Sequence, residues 1–327
     1  MIRVAKRAAI VVTIAVAAIA VFAWQMQRRY VAPGPLTAPA TAFIPKGSHL
    51  DEAAGRLVDA GVIHDKWVMI LGAKLQGARI KAGEYLFQPG QSVEAVVAQL
   101  VEGHTIVHKL TIPEGLTVRR VLEMIHDADF LAGEIIHHPD EGMIMPDTLL
   151  LSRDDQRAEV VARLEHSMEQ TLDRLWANRA ADLPLTNKHD ALVLASIVER
   201  ETAIAAERPH VAAVFENRLK LGMRLQSDPT VIYGLSEGLG TLPRPLNHAD
   251  LSANHPWNTY VITGLPPTPI AAPGKAAIEA VLHPSPSQDL YFVANGGGGH
   301  AFAKSLTEHN VNVTRLRHLE TNGPDRP

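Results

Sequence analysis

The stretch Ala191-Leu192-Val193-Leu194-Ala195-Ser196-Ile197-Val198-Glu199-Arg200-Glu201-Thr202 organises this sequence. From Ala191 to Val198 the only polar residue is Ser196, so the segment is predicted to be a helix buried on most sides, running from about Lys188 to Ala206. Two acids follow at its end. Two residues apart on a helix is about 200° of rotation, so Glu199 shares a face with Leu192, Ala195 and Ser196, and Glu201 with Leu194, Ile197 and Val198. A carboxyl set against apolar neighbours resists ionisation and can act as a general acid near neutrality. Periodicity does not choose between the two, and both also fit a plainer role as solvated end-of-helix carboxylates pairing with Arg200 or Arg208.

On either side the pattern stays helical. Gln156 to Ala181 places Val160, Val161, Leu164, Met168, Leu172, Leu175 and Trp176 on one side, and a further helix is expected from about His210 to Leu221. Beyond it the chain is rich in Pro, Gly and Asn, with a strand expected at Leu290 to Ala294 before Asn295-Gly296-Gly297-Gly298-Gly299-His300. Towards the N-terminus a weak pattern recurs: Ile44-Pro45-Lys46-Gly47, Pro89-Gly90 and Ile112-Pro113-Glu114-Gly115 each lead into an amphipathic segment. Ser48, Ser92 and Thr117 are the expected helix caps. Period-two stretches at Gly83–Phe87 and Thr105–Leu110 predict strands. The expected fold class is α+β.

Composition narrows the function. The chain has 327 residues, 46% hydrophobic, a formal charge of −4 and no cysteine. Disulfides, thiolate zinc sites and cysteine nucleophiles are thereby excluded, and the acidic balance argues against nucleic acid as a partner. Charge is distributed unevenly. Arg3, Lys6 and Arg7 precede an uncharged run from Ala8 to Gln27, which Arg28 and Arg29 close. At 1.5 Å per residue the run reaches about 30 Å, the thickness of a hydrocarbon core. A transmembrane helix with a cytoplasmic N-terminus is expected; a cleaved signal peptide ending near Ala38-Pro39-Ala40 is the competing reading. The remaining chain carries 26 basic and 35 acidic residues, a net of −9.

Other motifs are less specific. Asp228, before Pro229, fits an N-cap. Trp257 to Pro267 mixes amide, hydroxyl and aromatic groups of the kind that grip sugars and peptides. The glycines before His300 lack the Lys-Ser/Thr of a phosphate loop. His137-His138-Pro139-Asp140 lacks zinc spacing and reads as a loop.

Taken together, Ala195 to Ala203, Val214-Phe215-Glu216-Asn217-Arg218-Leu219, Gly222 to Gly234, Asn258-Thr259-Tyr260 with Gly264-Leu265-Pro266-Pro267, and Tyr291-Phe292-Val293-Ala294 with Gly299-His300-Ala301-Phe302 resemble the endolytic murein transglycosylase family, the MltG or YceG-like proteins. The resemblance runs from the anchor to about Arg317. It implies a single-pass inner-membrane lyase with a periplasmic body that cuts nascent peptidoglycan strands internally. The cut falls between MurNAc and GlcNAc, leaves a 1,6-anhydroMurNAc end and so terminates strand elongation. The resemblance gives the catalytic role to the first glutamate of Val-Glu-Arg-Glu-Thr, Glu199, as general acid and then base. It implies a LysM-like module near the membrane and, as partners, peptidoglycan glycan strands, the inner membrane and peptidoglycan synthases. No cofactor and no metal is called for. Two departures stand out: Met143 to Leu149 has no aromatic residue around Pro146-Asp147-Thr148, and Ala272 replaces an Asn common before Pro-Gly.

One acid suffices for such chemistry, because the C6 hydroxyl of the sugar itself attacks C1. Gln226, Asp228, Thr230, Asn258, Tyr260 and His300 are the expected substrate-binding residues. The expected organisation is residues 1–7 cytoplasmic, 8–27 transmembrane, 28–42 stalk, 43–125 LysM-like α+β modules, 126–155 connection, 156–320 catalytic domain and 321–327 tail. Two alternatives remain: a muramidase using Asp228 as second carboxylate, and a noncatalytic peptidoglycan-binding scaffold built on the modules.

Overall fold

The computed structural model describes residues 2–322, so residues 323–327 of the expected tail lie outside them. The chain divides into two units: residues 1–109 with 150–155, and residues 110–149 with 156–327. Helices and three two-stranded sheets share the described chain, with six consecutive helices in the second unit, consistent with an α+β class.

The first unit begins with α1 (Ile2–Val31), the one helix among the described residues long and apolar enough to cross a membrane. It continues past Arg28 and Arg29, where a stalk was expected, because Tyr30 is buried against the ring-accommodating Gly72 of α3 (Lys66–Leu75). Strands β1 (Ala40–Ile44) and β2 (Gly83–Phe87) pair antiparallel, Ala40 opposite Phe87 and Ile44 opposite Gly83. Between them in sequence come α2 (Leu50–Asp59) and α3, and α4 (Val93–Glu102) follows. Ile44, Leu57, Met69, Tyr85, Phe87 and Leu100 form the centre of the core. Ser92 caps α4 as expected, accepting from Ala95 N at 3.2 Å. α2 instead starts after His49, which makes no side-chain cap, so the expected cap at Ser48 is displaced by one residue.

Chain passage between the units involves β3 (His108–Thr111) and β4 (Thr148–Leu151). The second unit's first helix, α5 (Val118–Asp127), is capped by Thr117, and the loop before it, residues 112–117, belongs to this unit. Around α7 (Lys188–Glu201) are packed α6 (Arg157–Ala177), α8 (Arg208–Lys220), α9 (Asp228–Leu235) and α11 (Lys275–Leu282). Every residue from Ala191 to Val198 is buried. Ser196 is tolerated there because its hydroxyl donates to Val193 O at 2.7 Å and accepts from Ile270 N at 3.0 Å. The helix ends at Glu201, five residues before the expected Ala206: Thr202 is extended, and its hydroxyl accepts from Ile204 N. Both acids therefore sit in the last turn. α10 (His248–Ser252) is a single capped turn. Strands β5 (Tyr291–Ala294) and β6 (His300–Ala303) form a hairpin across the glycine run, and α12 (Leu306–Asn322) closes the described chain.

Candidate functional site

The two acids of α7 have unlike surroundings. Glu199 Oε1 accepts from Arg208 Nη2 at 3.1 Å and Oε2 from Gly274 N at 2.9 Å. Its side chain is 5% exposed and that of Arg208 12%. Arg208 also reaches Glu114 Oε2 at 3.4 Å. Burial raises the Glu199 pKa and the charge of Glu114 adds to this, while Gly274 N–H and Arg208 oppose it. The loop holding Glu114 is fixed by backbone bonds from Gly115 N to Ala272 O, 2.9 Å, and from Ala272 N to Leu116 O, 2.7 Å. Ala272 acts here through its main chain. The paired-carboxylate reading thus holds for Glu199 with Arg208, although the pair is buried rather than solvated. Arg200 turns elsewhere, donating to the carbonyls of Gly115 and Gly240.

Glu201 accepts one hydrogen bond, from Ser227 Oγ to Oε1 at 2.5 Å, and its Oε2 accepts none from the described residues. Burial pushes this carboxyl up to about 7; Asp228 adds to the rise, while Ser227, His300 and Arg218 pull against it. Asp228, Arg218 and His300 therefore lie within electrostatic reach of Glu201.

Tyr260 OH donates to Asp228 Oδ1 at 2.7 Å, and burial is the first cause of the raised Tyr260 pKa. Ser227, not Asp228, is the N-cap residue of α9; Asp228 is its first helical residue, and it is exposed. His300, at the start of β6, places Nδ1 2.6 Å from Glu207 Oε2 and donates its backbone N–H to Glu207 Oε1 at 3.0 Å. Burial opposes ionisation of Glu207, yet the His300 ring and N–H bring its pKa below the usual carboxylate range. Gln226 is exposed, with φ +54°, and its N–H donates to Thr259 O at 3.1 Å.

Two of the expected binding residues face inward instead. Thr230 is fully buried, its hydroxyl bound to Ser227 O at 2.7 Å and to the Thr259 hydroxyl at 2.8 Å. Asn258 is fully buried too; its Nδ2 donates to the carbonyls of Asp250, Leu251 and Ala253, and its Oδ1 accepts from Tyr260 N. Both brace the loop that carries Ser227, Asp228 and Tyr260. Four of the six expected binding residues, Gln226, Asp228, Tyr260 and His300, remain at least partly exposed, and the last three lie within electrostatic reach of Glu201.

The residues that sequence reasoning did not single out are the hidden supports. Arg218, 7% exposed, donates to the carbonyls of Leu225 at 2.6 Å and Leu290 at 2.7 Å, tying α8 to the Ser227 loop and to β5. Ser227 lies between Gly222 and Gly234, and its only sequence signal is its place before Asp-Pro. The second unit also has a cavity of about 880 Å³ lined by Leu122, His126, Glu141 and Tyr233 among others, and it includes neither acid of α7. Glu141 there is raised to about 7 by burial and accepts from Val118 N and Tyr233 OH. Among the described residues no cluster of His, Cys, Asp and Glu is arranged to hold a metal.

Comparison with known proteins bears on this arrangement. The model of the YceG-like family matches residues 42–315. An endolytic murein transglycosylase of Bacillus subtilis is 29% identical over 299 residues, 82% of each chain. One of Streptococcus pneumoniae is 26% identical over 322 residues, and the match spans 57% of that protein's length. The crystal structure of a YceG-like protein of Listeria monocytogenes, 30% identical, superposes with a TM-score of 0.52 over 84% of this chain and 98% of that one.

Proposed function

The chain belongs to the YceG-like family, and we propose that it is a membrane-anchored peptidoglycan lyase, an endolytic transglycosylase that cuts nascent glycan strands and ends their elongation. The names of the Bacillus and Streptococcus relatives support this reading. α1 is its single span in the inner membrane, with the N-terminus cytoplasmic and the body periplasmic. The pair of helices between the strands of the β1–β2 sheet is the LysM-like module, and synthases are partners that bring the enzyme to new strands.

The observation that carries the chemistry is the contrast between the two acids of α7. A general acid must hold a proton near the working pH and have an oxygen free to deliver it. Glu201 meets both demands, with a pKa of about 7 and no donor on Oε2 among the described residues. Burial raises Glu199 as well, but each of its oxygens already accepts a donor, so neither is free to deliver a proton to substrate. We therefore move the acid–base role from Glu199 to Glu201, and give Glu199 the task of fixing the end of α7 against α8 and the loop of Gly274.

In this mechanism Glu201 protonates the glycosidic oxygen between MurNAc and GlcNAc. The C6 hydroxyl of MurNAc attacks C1, and the ionised Glu201 accepts its proton, leaving a 1,6-anhydro end. Gln226, Asp228, Tyr260 and His300 bind the N-acetyl and lactyl-peptide groups, with Thr230 and Asn258 behind them. Mass spectrometry of strands digested by the full chain tests the reading: anhydro ends support it. Reducing ends would instead favour a muramidase, for which Asp228 beside Glu201 is the available second carboxylate. Unchanged strands would favour a noncatalytic scaffold.

A further inference from the structure

α3 is apolar on both of its faces, which is unusual for a ten-residue helix in a small unit. Val68, Met69, Ile70 and Ala73 face the core. On the other side Trp67 is 62% exposed, Leu71 39% and Leu75 80%, at the i, i+4, i+8 spacing of one stripe. Lys74 is exposed beside them, and the Lys66 ammonium lies 5.1 Å from the centre of the Trp67 ring. Large exposed apolar patches with a basic rim mark interaction surfaces, and an amphipathic Trp/Leu face flanked by Lys is the composition of helices that lie in a membrane interface.

The position of α3 along α1 identifies what covers the stripe. A Cβ on Gly72 would stand 2.2 Å from the Tyr30 ring, so only glycine allows this contact, and Arg29 lies 3.8 Å from Asp65, the cap of α3. Gly72 borders the stripe, one residue from Leu71. Tyr30 is three residues beyond Gln27, where the uncharged run ends, or about 4–5 Å along the helix. The headgroup region on each side of the hydrocarbon is about 5–8 Å thick. A helix fastened at that height to a spanning helix is level with the headgroups. Trp24, with Arg28 4.9 Å over its ring, marks the same boundary on α1.

We infer that α3 lies in the interface of the membrane that α1 spans, with Trp67, Leu71 and Leu75 among the lipids and Lys74, Arg28 and Arg29 facing anionic headgroups. The first unit is then a fixed platform on the bilayer surface rather than a module on a flexible tether. The inference rests on the spanning role proposed for α1 and not on the assignment of the catalytic acid.

Absence of native cysteine makes the test direct. Full-length Leu75→Cys, Leu71→Cys, Ile14→Cys and Leu221→Cys chains are nitroxide-labelled, reconstituted into bilayers containing phosphatidylglycerol, and assayed for relaxation by oxygen and by a water-soluble nickel chelate. Leu75 and Leu221 are 80% and 64% exposed, so labelling there leaves the fold intact. Labels at 71 and 75 are expected to favour oxygen over nickel several-fold more than the label at 221, at a shallower depth than the label at 14. Accessibility at 71 and 75 equal to that at 221, or spin–spin coupling between two copies through these labels, overturns the inference while leaving the anchor in place. A water-exposed label at 14 removes the anchor and the inference together.

Discussion

Glu199 and Glu201 stand two residues apart in the last turn of α7, yet Arg208 and Gly274 occupy both oxygens of the first, while Ser227 holds a single oxygen of the second. The 200° that separates neighbours at this spacing sends one carboxyl towards a guanidinium and the other towards a loop of hydroxyls and amides. One helix end thus holds a carboxyl with both oxygens occupied and a carboxyl with one oxygen left open among the described residues.

The pH profile follows from the second. In the proposed mechanism Glu201 acts in its protonated form, and burial pushes its pKa up to about 7, so kcat/KM is expected to fall as pH rises through about 7. Asp228 helps raise this value. Asp228→Asn removes a neighbouring negative charge and moves the alkaline limb to lower pH; a limb that stays in place or moves upward contradicts the assignment.

Much of this was legible beforehand, and what was not has a physical cause. The apolar run of α7, the strand at Gly83–Phe87 and the caps at Ser92 and Thr117 follow from local periodicity and local hydrogen bonding. The proposed choice of Glu201 over Glu199 did not, because it rests on Arg208, Gly274 and Ser227, which only tertiary packing brings to the helix end. Thr230 and Asn258 carry the polar chemistry of a sugar site, and burial alone shows that they spend it on their own loop. The end of α7 at Glu201 was missed because Thr202 stops the helix through its own side chain, a signal shared with many residues that do not.

The Glu199–Arg208 pair is largely shielded from solvent, so removing Arg208 leaves its place empty and Glu199 with only the Gly274 N–H. Arg208→Ala is expected to cost about 3–5 kcal/mol in urea unfolding. Glu199→Gln with Arg208→Ala should cost less than the sum of the single changes. Additive costs would show that the pair does not act as a unit.

Glu216 on α8 is 2% exposed, and its Oε1 has no hydrogen-bond partner among the described residues. Burial raises its pKa from 4.5 to about 8. The folded state therefore binds this proton more tightly than the unfolded state. Its contribution favours folding fully at low pH, is lost as pH rises from about 4.5, and levels off above about 8. The stability of Glu216→Gln relative to the parent should increase by more than about 1 kcal/mol from about pH 5 to about pH 8. A pH-independent difference in unfolding free energy would refute this.

Asn258→Ala takes the side-chain donor from the part-buried carbonyls of Leu251 and Ala253, while Asp250 O keeps Ala253 N. A loss of about 2–4 kcal/mol is expected, at about 1–3 kcal/mol for each unmet group with partial relaxation. Hydrogen exchange should quicken at Tyr260 N, which Asn258 Oδ1 now holds. Unchanged protection there would remove Asn258 from the support of the loop.

The most direct test compares Glu201→Gln and Glu199→Gln, each checked for folding by circular dichroism, in a mass-spectrometric assay of glycan-strand products. Glu201→Gln is expected to be folded and to release no 1,6-anhydro ends, a loss of at least about 10²-fold, while Glu199→Gln is less stable but still forms them. Anhydro products from Glu201→Gln at the parent rate, with their loss confined to a folded Glu199→Gln, would contradict the account.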